Sequence, residues 1–406
     1  MSGETVACKV YSNAEVIVSR ILSIAVLGCL GLSLLLDSAR GEVPPQDLTD
    51  ALAKVRAVGA KGAGHRDAAQ AVKVLAKADA DQLPKILAAM QGANDLAANW
   101  LRGVVEAAAQ RAKVSGQKLP QEQLEKFLAD TRESPRARRL AYELIASVDD
   151  AASTRLIPTL IDDPSLELRR DAVAAQLEKA EKLKDDKAAA IGAYQTAFHA
   201  ARDLDQIKAA SKALRDLGEN VDVARQMGFI NSWKIIGPFD NVGDVGWDTA
   251  YPPEKQVDFA AEYDGQKGKI QWIDHTTTDD FGAVDLTKAL DKHKGAVAYA
   301  AAEFIADEPQ RVDIRIGSVN AIKVFVNGTQ IDERHVYHSG AEVDQYVSQA
   351  ELKKGKNVIL VKICQNEQTD AWAQDWKFQL RVCNEIGTAV LSQDRPTSKT
   401  AMREDF

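Results

Sequence analysis

Apolar residues recur at three- and four-residue spacings between Asp47 and Arg225, as in Leu124, Phe127, Leu128 and again in Leu140, Leu144, Ile145. That is the period of a helix with one face turned to a core. The positions between them hold Ala, Lys, Glu and Gln, which are strong helix formers. Breakers divide the run into separate helices: Gly62-Ala63-Gly64, Gly92, Gly116, Pro120, Pro135, Pro164 and Gly218. Ser134-Pro135 and Pro164-Ser165 read as helix starts, with a capping hydroxyl beside a proline. The pattern then changes after Gly228. Short alternating runs appear, bounded by Gly, Asn and Asp, and five of the six tryptophans lie beyond this point. The changeover is placed at 228–232.

Strands are expected at Trp233–Ile236 (ended by Gly237-Pro238), Lys269–Ile273, Val297–Ile305, Val312–Ile316, Ile322–Val326, Gln330-Ile331, Val358–Cys364 and Trp376–Cys383. Asn327-Gly328 between two apolar runs is a strong hairpin signal. Short antiparallel strands at this spacing imply a two-sheet sandwich or jelly roll. The expected fold class is therefore α plus β: an all-helical half at 42–228, then an antiparallel β-sandwich at 229–392. The tail 393–406 is expected to be disordered.

Two helical segments echo one another. Pro135-Arg136-Ala137-Arg138-Arg139-Leu140-Ala141 matches Leu166-Glu167-Leu168-Arg169-Arg170-Asp171-Ala172. Between them lies a second helix, Ala152 to Ile161, kinked or shortened by Pro158. Helix pairs of this kind stack into a curved solenoid because none buries its apolar face alone. An irregular bundle fits the pattern equally well. The arginines are expected to pair with Glu133, Glu143, Asp162, Asp163 and Glu167 on solvated faces rather than to form a basic patch. Trp100 reads as core.

Arg20 precedes an uncharged apolar run, Ile21–Leu36, followed by Asp37, Ser38, Ala39, Arg40 and Gly41. This is the layout of an export signal spanning 1–41, cut before Glu42. An uncleaved membrane anchor is the alternative. Val26-Leu27-Gly28-Cys29 has the look of a lipoprotein box, but apolar residues continue past Cys29. Of four cysteines, Cys364 and Cys383 fall in the mature chain. If their strands form a simple hairpin, Cys364 faces residues 376–377, about 20 Å at strand rise from Cys383. Two buried thiols follow, unless the topology is not a hairpin. The net charge of −8 argues against a nucleic-acid binder.

The residues Val324-Phe325-Val326-Asn327-Gly328, then Leu352-x-x-Gly355-x-Asn357-x-x-Leu360-Val361-Lys362, then Trp376-x-Phe378-x-Leu380-Arg381 resemble the galactose-binding-like jelly roll that accompanies many glycoside hydrolases. The lead-in Trp233-x-Ile235-Ile236-Gly237-Pro238-Phe239-Asp240-Asn241 is similar to one found before such modules in large exported proteins of planctomycete-type bacteria. The stretch Asp162-Asp163-Pro164-Ser165-x-x-x-Arg169-Arg170-Asp171-Ala172-Val173 resembles HEAT-type repeats. These resemblances imply a carbohydrate-associated sandwich joined to a helical adaptor. Related modules often carry two acidic residues after Gly-Ser in the loop before the V-x-V-N-G strand. Here that loop is Gly317-Ser318-Val319-Asn320-Ala321, which has neither carboxylate.

Sugars stack on aromatic faces while Asp, Asn, Gln and Arg take their hydroxyls. Two loops hold that mixture. One gives Trp372 with Asp370 and Gln374. The other gives Trp247 with Asp248, continuing to Tyr251. Either indole could instead plug an end of the sandwich, and Trp233, Trp272 and Trp376 read as core. Asp240, Asn241, Asp244 and Asp248 are oxygen ligands of the kind calcium takes, without EF-hand spacing. His335-Val336-Tyr337-His338 reads as a surface hairpin. No nucleophile elbow, zinc-protease motif or phosphate loop occurs. No cofactor is expected. The chain reads as an exported, non-catalytic binding protein for a polysaccharide or glycan. The alternatives are a protein-interaction scaffold using the helical half, or a polysaccharide-active enzyme of unrecognised type. Membrane contact is expected only if the leader stays attached.

Overall fold

The computed structural model describes residues 43–395; the leader and the last residues of the tail lie outside the described residues. Helices occupy Pro45–Arg56, His65–Leu75, Leu83–Ala88, Asp95–Ser115, Gln121–Ala129, Pro135–Ala146, Ala152–Leu156, Leu166–Lys182, Lys187–Ala200, Leu204–Asp216 and Val223–Met227. Local chemistry sets several of their ends. Asn94, Asp186 and Asp222 each accept a backbone N–H in the first turn, and Gly116 and Gly228 close helices in the left-handed conformation. Helices do begin at Pro135 and Leu166, but the Ser134 and Ser165 side chains make no capping bond. After Leu156 the chain tightens into a 3-10 turn at Ile157–Leu160, where Pro158 removes a donor.

The arginines correct the expected picture of solvated faces. Arg138 is 1% exposed and grips both oxygens of Asp163 at 2.7 and 2.5 Å, while its Nε donates to the Leu128 carbonyl. Arg169, also buried, donates to the backbone carbonyls of Asp162 and Asp163. The remaining partners are Asp95 for Arg136, Asp171 and Glu143 for Arg139, and Asp203 and Asp205 for Arg170. Arg102 also reaches Glu143. The echoing segments thus use equivalent arginines, 139 and 170, to reach a carboxylate on a later helix.

The β half contains β1 (Ser232–Asp240), β2 (Glu262–Gly265), β3 (Gly268–Gln271), β4 (Ile273–Thr276), β5 (Val284–Asp285), β6 (Ala296–Ala306), β7 (Gln310–Ser318), β8 (Ala321–Val326), β9 (Thr329–Arg334), β10 (Tyr346–Leu352), β11 (Gly355–Gln365) and β12 (Lys377–Cys383). Six strands form one sheet in the order β4-β1-β6-β11-β8-β9, and four form the other as β10-β7-β12-β5. All pairings are antiparallel. Their inner faces pack Ile235, Ile314, Val324, Val361, Trp376 and Leu380 into one core.

Three expectations change. β1 does not stop at Gly237-Pro238 but runs through it, with a register shift between Ile236 and Phe239. The run Lys269–Ile273 is two strands, because β3 pairs with β2 while β4 pairs with β1. Cys364 lies on β11 and Cys383 on β12, in different sheets rather than in one hairpin. Both thiols are nonetheless free and buried. Asn327-Gly328 does form the β8–β9 turn, both residues having positive φ. Asn327 and Asn357 bond to each other at 2.8 Å, and Asn357 also clasps the carbonyls of Lys353 and Gly355. The asparagines of the motif therefore hold turns.

Helix passes to sheet without a spacer. The amide of Val382 donates to the Gly228 carbonyl and that of Ile230 to Leu380. A side chain at Gly228 would meet the Val382 carbonyl oxygen at 2.4 Å. Phe229 is buried with the last helices and meets Phe281 edge-on. Arg381 donates to Met227 O and pairs with Asp344. Residues 393–395, expected to be loose, are tied down: Gln393 N donates to Ile305 O and Arg395 to Phe229 O.

Candidate functional site: an aromatic end of the sandwich

The two loops singled out from the sequence lie together at one end of the sandwich, joined through the 335–338 segment. Gly243 N donates to Glu367 at 2.8 Å, and the Asn241 amide donates to Gln365 O at 3.1 Å and to the Tyr337 hydroxyl at 3.2 Å. Asp244 takes the Tyr337 hydroxyl at 2.5 Å on one oxygen and His335 Nε2 at 2.6 Å on the other. Burial and the Asp244 carboxylate push the Tyr337 phenol well above its usual range, so it stays a donor. Of the histidines expected on a surface hairpin, His335 bonds Asp244 of the 241–248 loop and His338 bonds Asn366, so the segment that follows β9 ties both loops together. No apolar periodicity marks them.

The two tryptophans differ. Trp247 is 8% exposed and stacks on His335 (4.3 Å, 5°), while the Lys323 ammonium sits over its ring at 4.4 Å. Both faces are covered, so this ring offers a sugar no platform. Tyr251 stacks on Phe239 and donates to Asp240 O at 2.6 Å, and Asp248 is exposed. Trp372, on the short turn Ala371–Ala373, is 65% exposed. Its ring meets His338 edge-on at 5.0 Å, and that imidazole is itself held by Asn366 at 3.0 Å. Asp370 is exposed and takes the Gln368 amide at 3.1 Å. The Gln374 amide donates inward to Thr369 O and Asp370 O, both at 2.8 Å, so it braces the turn. The loop Gly317–Ala321 is structural: Asn320 bonds Gln365 and the Lys377 amide.

Trp233 and Trp376 are buried in the sandwich core, Trp272 is half-buried on the outer face of the six-stranded sheet, and Trp100 is half-buried against the first helical core. The calcium-like set does not converge. Asp240 and Asp244 are taken by separate partners, and among the described residues no group of three or more His, Cys, Asp or Glu is placed to hold a metal.

A further cluster, not anticipated from the sequence, lies under the 245–257 segment. Lys362 of β11 is 0% exposed. Its Nζ reaches Glu254 Oε1 at 2.8 Å, Thr249 O at 2.8 Å and Trp247 O at 3.3 Å. Tyr299 of β6, the cross-strand partner of Lys362, donates to the same Glu254 oxygen at 2.5 Å. The one signal in the sequence was a lysine inside the apolar run Val358–Ile363.

No known family and no curated protein matches the chain. Among solved structures, an anti-sigma factor domain-containing protein aligns at 11% identity over 40% of this chain and 46% of its own, with a TM-score of 0.22. A beta-glucosidase from Kluyveromyces marxianus aligns at 11% identity over 41% and 20% (TM-score 0.25). A beta-glucuronidase from an uncultured Clostridium sp. aligns at 16% identity over 39% and 29% (TM-score 0.23). The aligned part is less than half of each of these proteins, and superpositions this loose carry no argument about fold or activity.

Proposed function

We propose that this is an exported, non-catalytic binding protein whose sandwich takes a polysaccharide or glycan at the Trp372 end. The observation that carries the reading is the open indole of Trp372, set edge-on to His338 on the loop that also carries Asp370 and Gln368. An exposed tryptophan costs a soluble protein solubility and adds nothing to its core, whereas a sugar's C–H face stacks well on one. The export proposal rests on the Arg20 and Ile21–Leu36 leader pattern. A second reading, protein capture by the helical half, draws on Leu96, Val114, Val148 and Leu166, which that half leaves exposed.

The test is a polysaccharide pull-down and glycan-array screen of the mature chain beside W372A. Saturable binding that W372A lowers at least about tenfold, on the scale of a lost aromatic hot spot, supports the site. W372A is expected to leave folding stability within about 0.5 kcal/mol, as an exposed substitution should. Absence of binding by the well-folded wild type sinks the glycan reading and moves attention to the helical half.

A further inference from the structure

Lys362 is a primary amine sealed from water on a central strand, and Glu254 is the carboxylate it pairs with. Burying an ion pair forfeits hydration that the pair's attraction rarely restores in full. The surroundings are aromatic: the ammonium lies 5.8 and 5.9 Å from the ring centres of Tyr251 and Tyr299. Lys362 sits on a strand paired on both sides and Glu254 is held by Tyr299 as well as by Lys362, so the amine and carboxyl meet at a very high effective concentration.

The three bonds around Nζ carry directional information. Two go to backbone carbonyls, Thr249 O and Trp247 O, and the third goes to Glu254 Oε1. If the third proton passes to the carboxylate, the remaining two N–H groups keep the carbonyls. The lone pair is then aimed at Glu254. Tyr299 donates to that same oxygen, and burial with the Glu254 carboxylate holds its phenol protonated.

We propose that Lys362 and Glu254 are the two halves of an intramolecular amide cross-link, which fastens the 245–257 segment covalently to β11. Proton transfer within the pair gives an amine and a carboxylic acid. The amine attacks the carboxyl carbon after the carboxyl rotates about its last C–C bond. Tyr299 protonates the departing oxygen and recovers a proton from the nitrogen. One C–N bond forms, one C–O bond breaks and one water leaves; no oxidant or reductant is involved.

The experiment is intact-mass measurement of the purified, folded full chain under denaturing conditions, with peptide mapping to fix its N-terminus. The expected result is a mass lower than that of the polypeptide by one water. A branched peptide joining the Glu254 and Lys362 segments should be found in the wild type and absent from K362M. Y299F is expected to form the branched peptide more slowly or not at all. A wild-type chain at its full sequence mass, with Lys362 recovered in a linear peptide, overturns the proposal. That outcome is read on the wild type alone, so it holds even if a variant fails to fold.

Discussion

Truncating Asp163 would leave the Arg138 guanidinium charged in a site where it is 1% exposed. Removing one partner of a buried pair costs about 3–5 kcal/mol. D163A is therefore expected to lower unfolding free energy by that amount in a urea titration. The double variant R138M/D163L should lose much less, because no buried charge is stranded. Equal losses in the two would sink the idea that the stranded charge is the cost. Sequence alone made these arginines visible and pointed to Asp163 and Glu143, but Glu133 and Glu167 are not their partners, and Asp95, Asp171, Asp203 and Asp205 are. It could not say which pairs are dry, because burial depends on stacking segments that lie 25 residues apart along the chain. Trp247 and Trp372 show the same gap. Both stand in polar, turn-rich loops, and only the fold covers one ring with His335 and Lys323 while leaving the other open.

Among elements, the point where helix Val223–Met227 becomes β1 is governed by one backbone angle. Gly228 has φ +85°, and a Cβ there meets Val382 O at 2.4 Å. Gly116 ends a helix at φ +69° with open space around it. An L-residue in this conformation costs about 1–2 kcal/mol. G116A is expected to cost about that much by thermal or chemical unfolding, and G228A clearly more, because its methyl also strikes the sheet. Equal costs would mean that β12 moves aside freely. Helix and strand identities were legible because periods of 3.6 and 2 differ plainly. The Lys269–Ile273 run misled because Trp272 separates two pairings that share one apolar pattern. β10 was missed because Tyr346–Leu352 mixes polar and apolar residues on an edge.

At the scale of the whole molecule, residues 43–395 form one compact unit, and the seam between helices and sheets is polar as well as apolar. Asp344 is central to it. Burial pushes its carboxyl up, but the Arg381 and Arg315 guanidiniums outweigh that and hold it below the usual carboxylate range. A group lowered in the folded state contributes its full stability above the unfolded value, roughly pH 4. That contribution fades as pH falls through the lowered folded value. Stability is thus expected to drop on acidification below about pH 4. D344N should be less stable at neutral pH and should show a shallower acid loss. Identical pH profiles for wild type and D344N would remove Asp344 from the account. The change from α to β was readable at Gly228, but the closeness of the join was not: Arg381, Asp344 and Arg395 reach it from far along the chain.

The unequal setting of the indoles also has an optical consequence. Trp233, Trp247 and Trp376 are shut away from solvent, and Trp247 lies against an imidazole and an ammonium. Trp372 stands in water. A collisional quencher therefore reaches it far more readily than those three, and its emission lies at the red side of the spectrum. Whatever settles on that ring casts a shadow over this one emitter, so the molecule carries its own lamp at the place where contact is proposed.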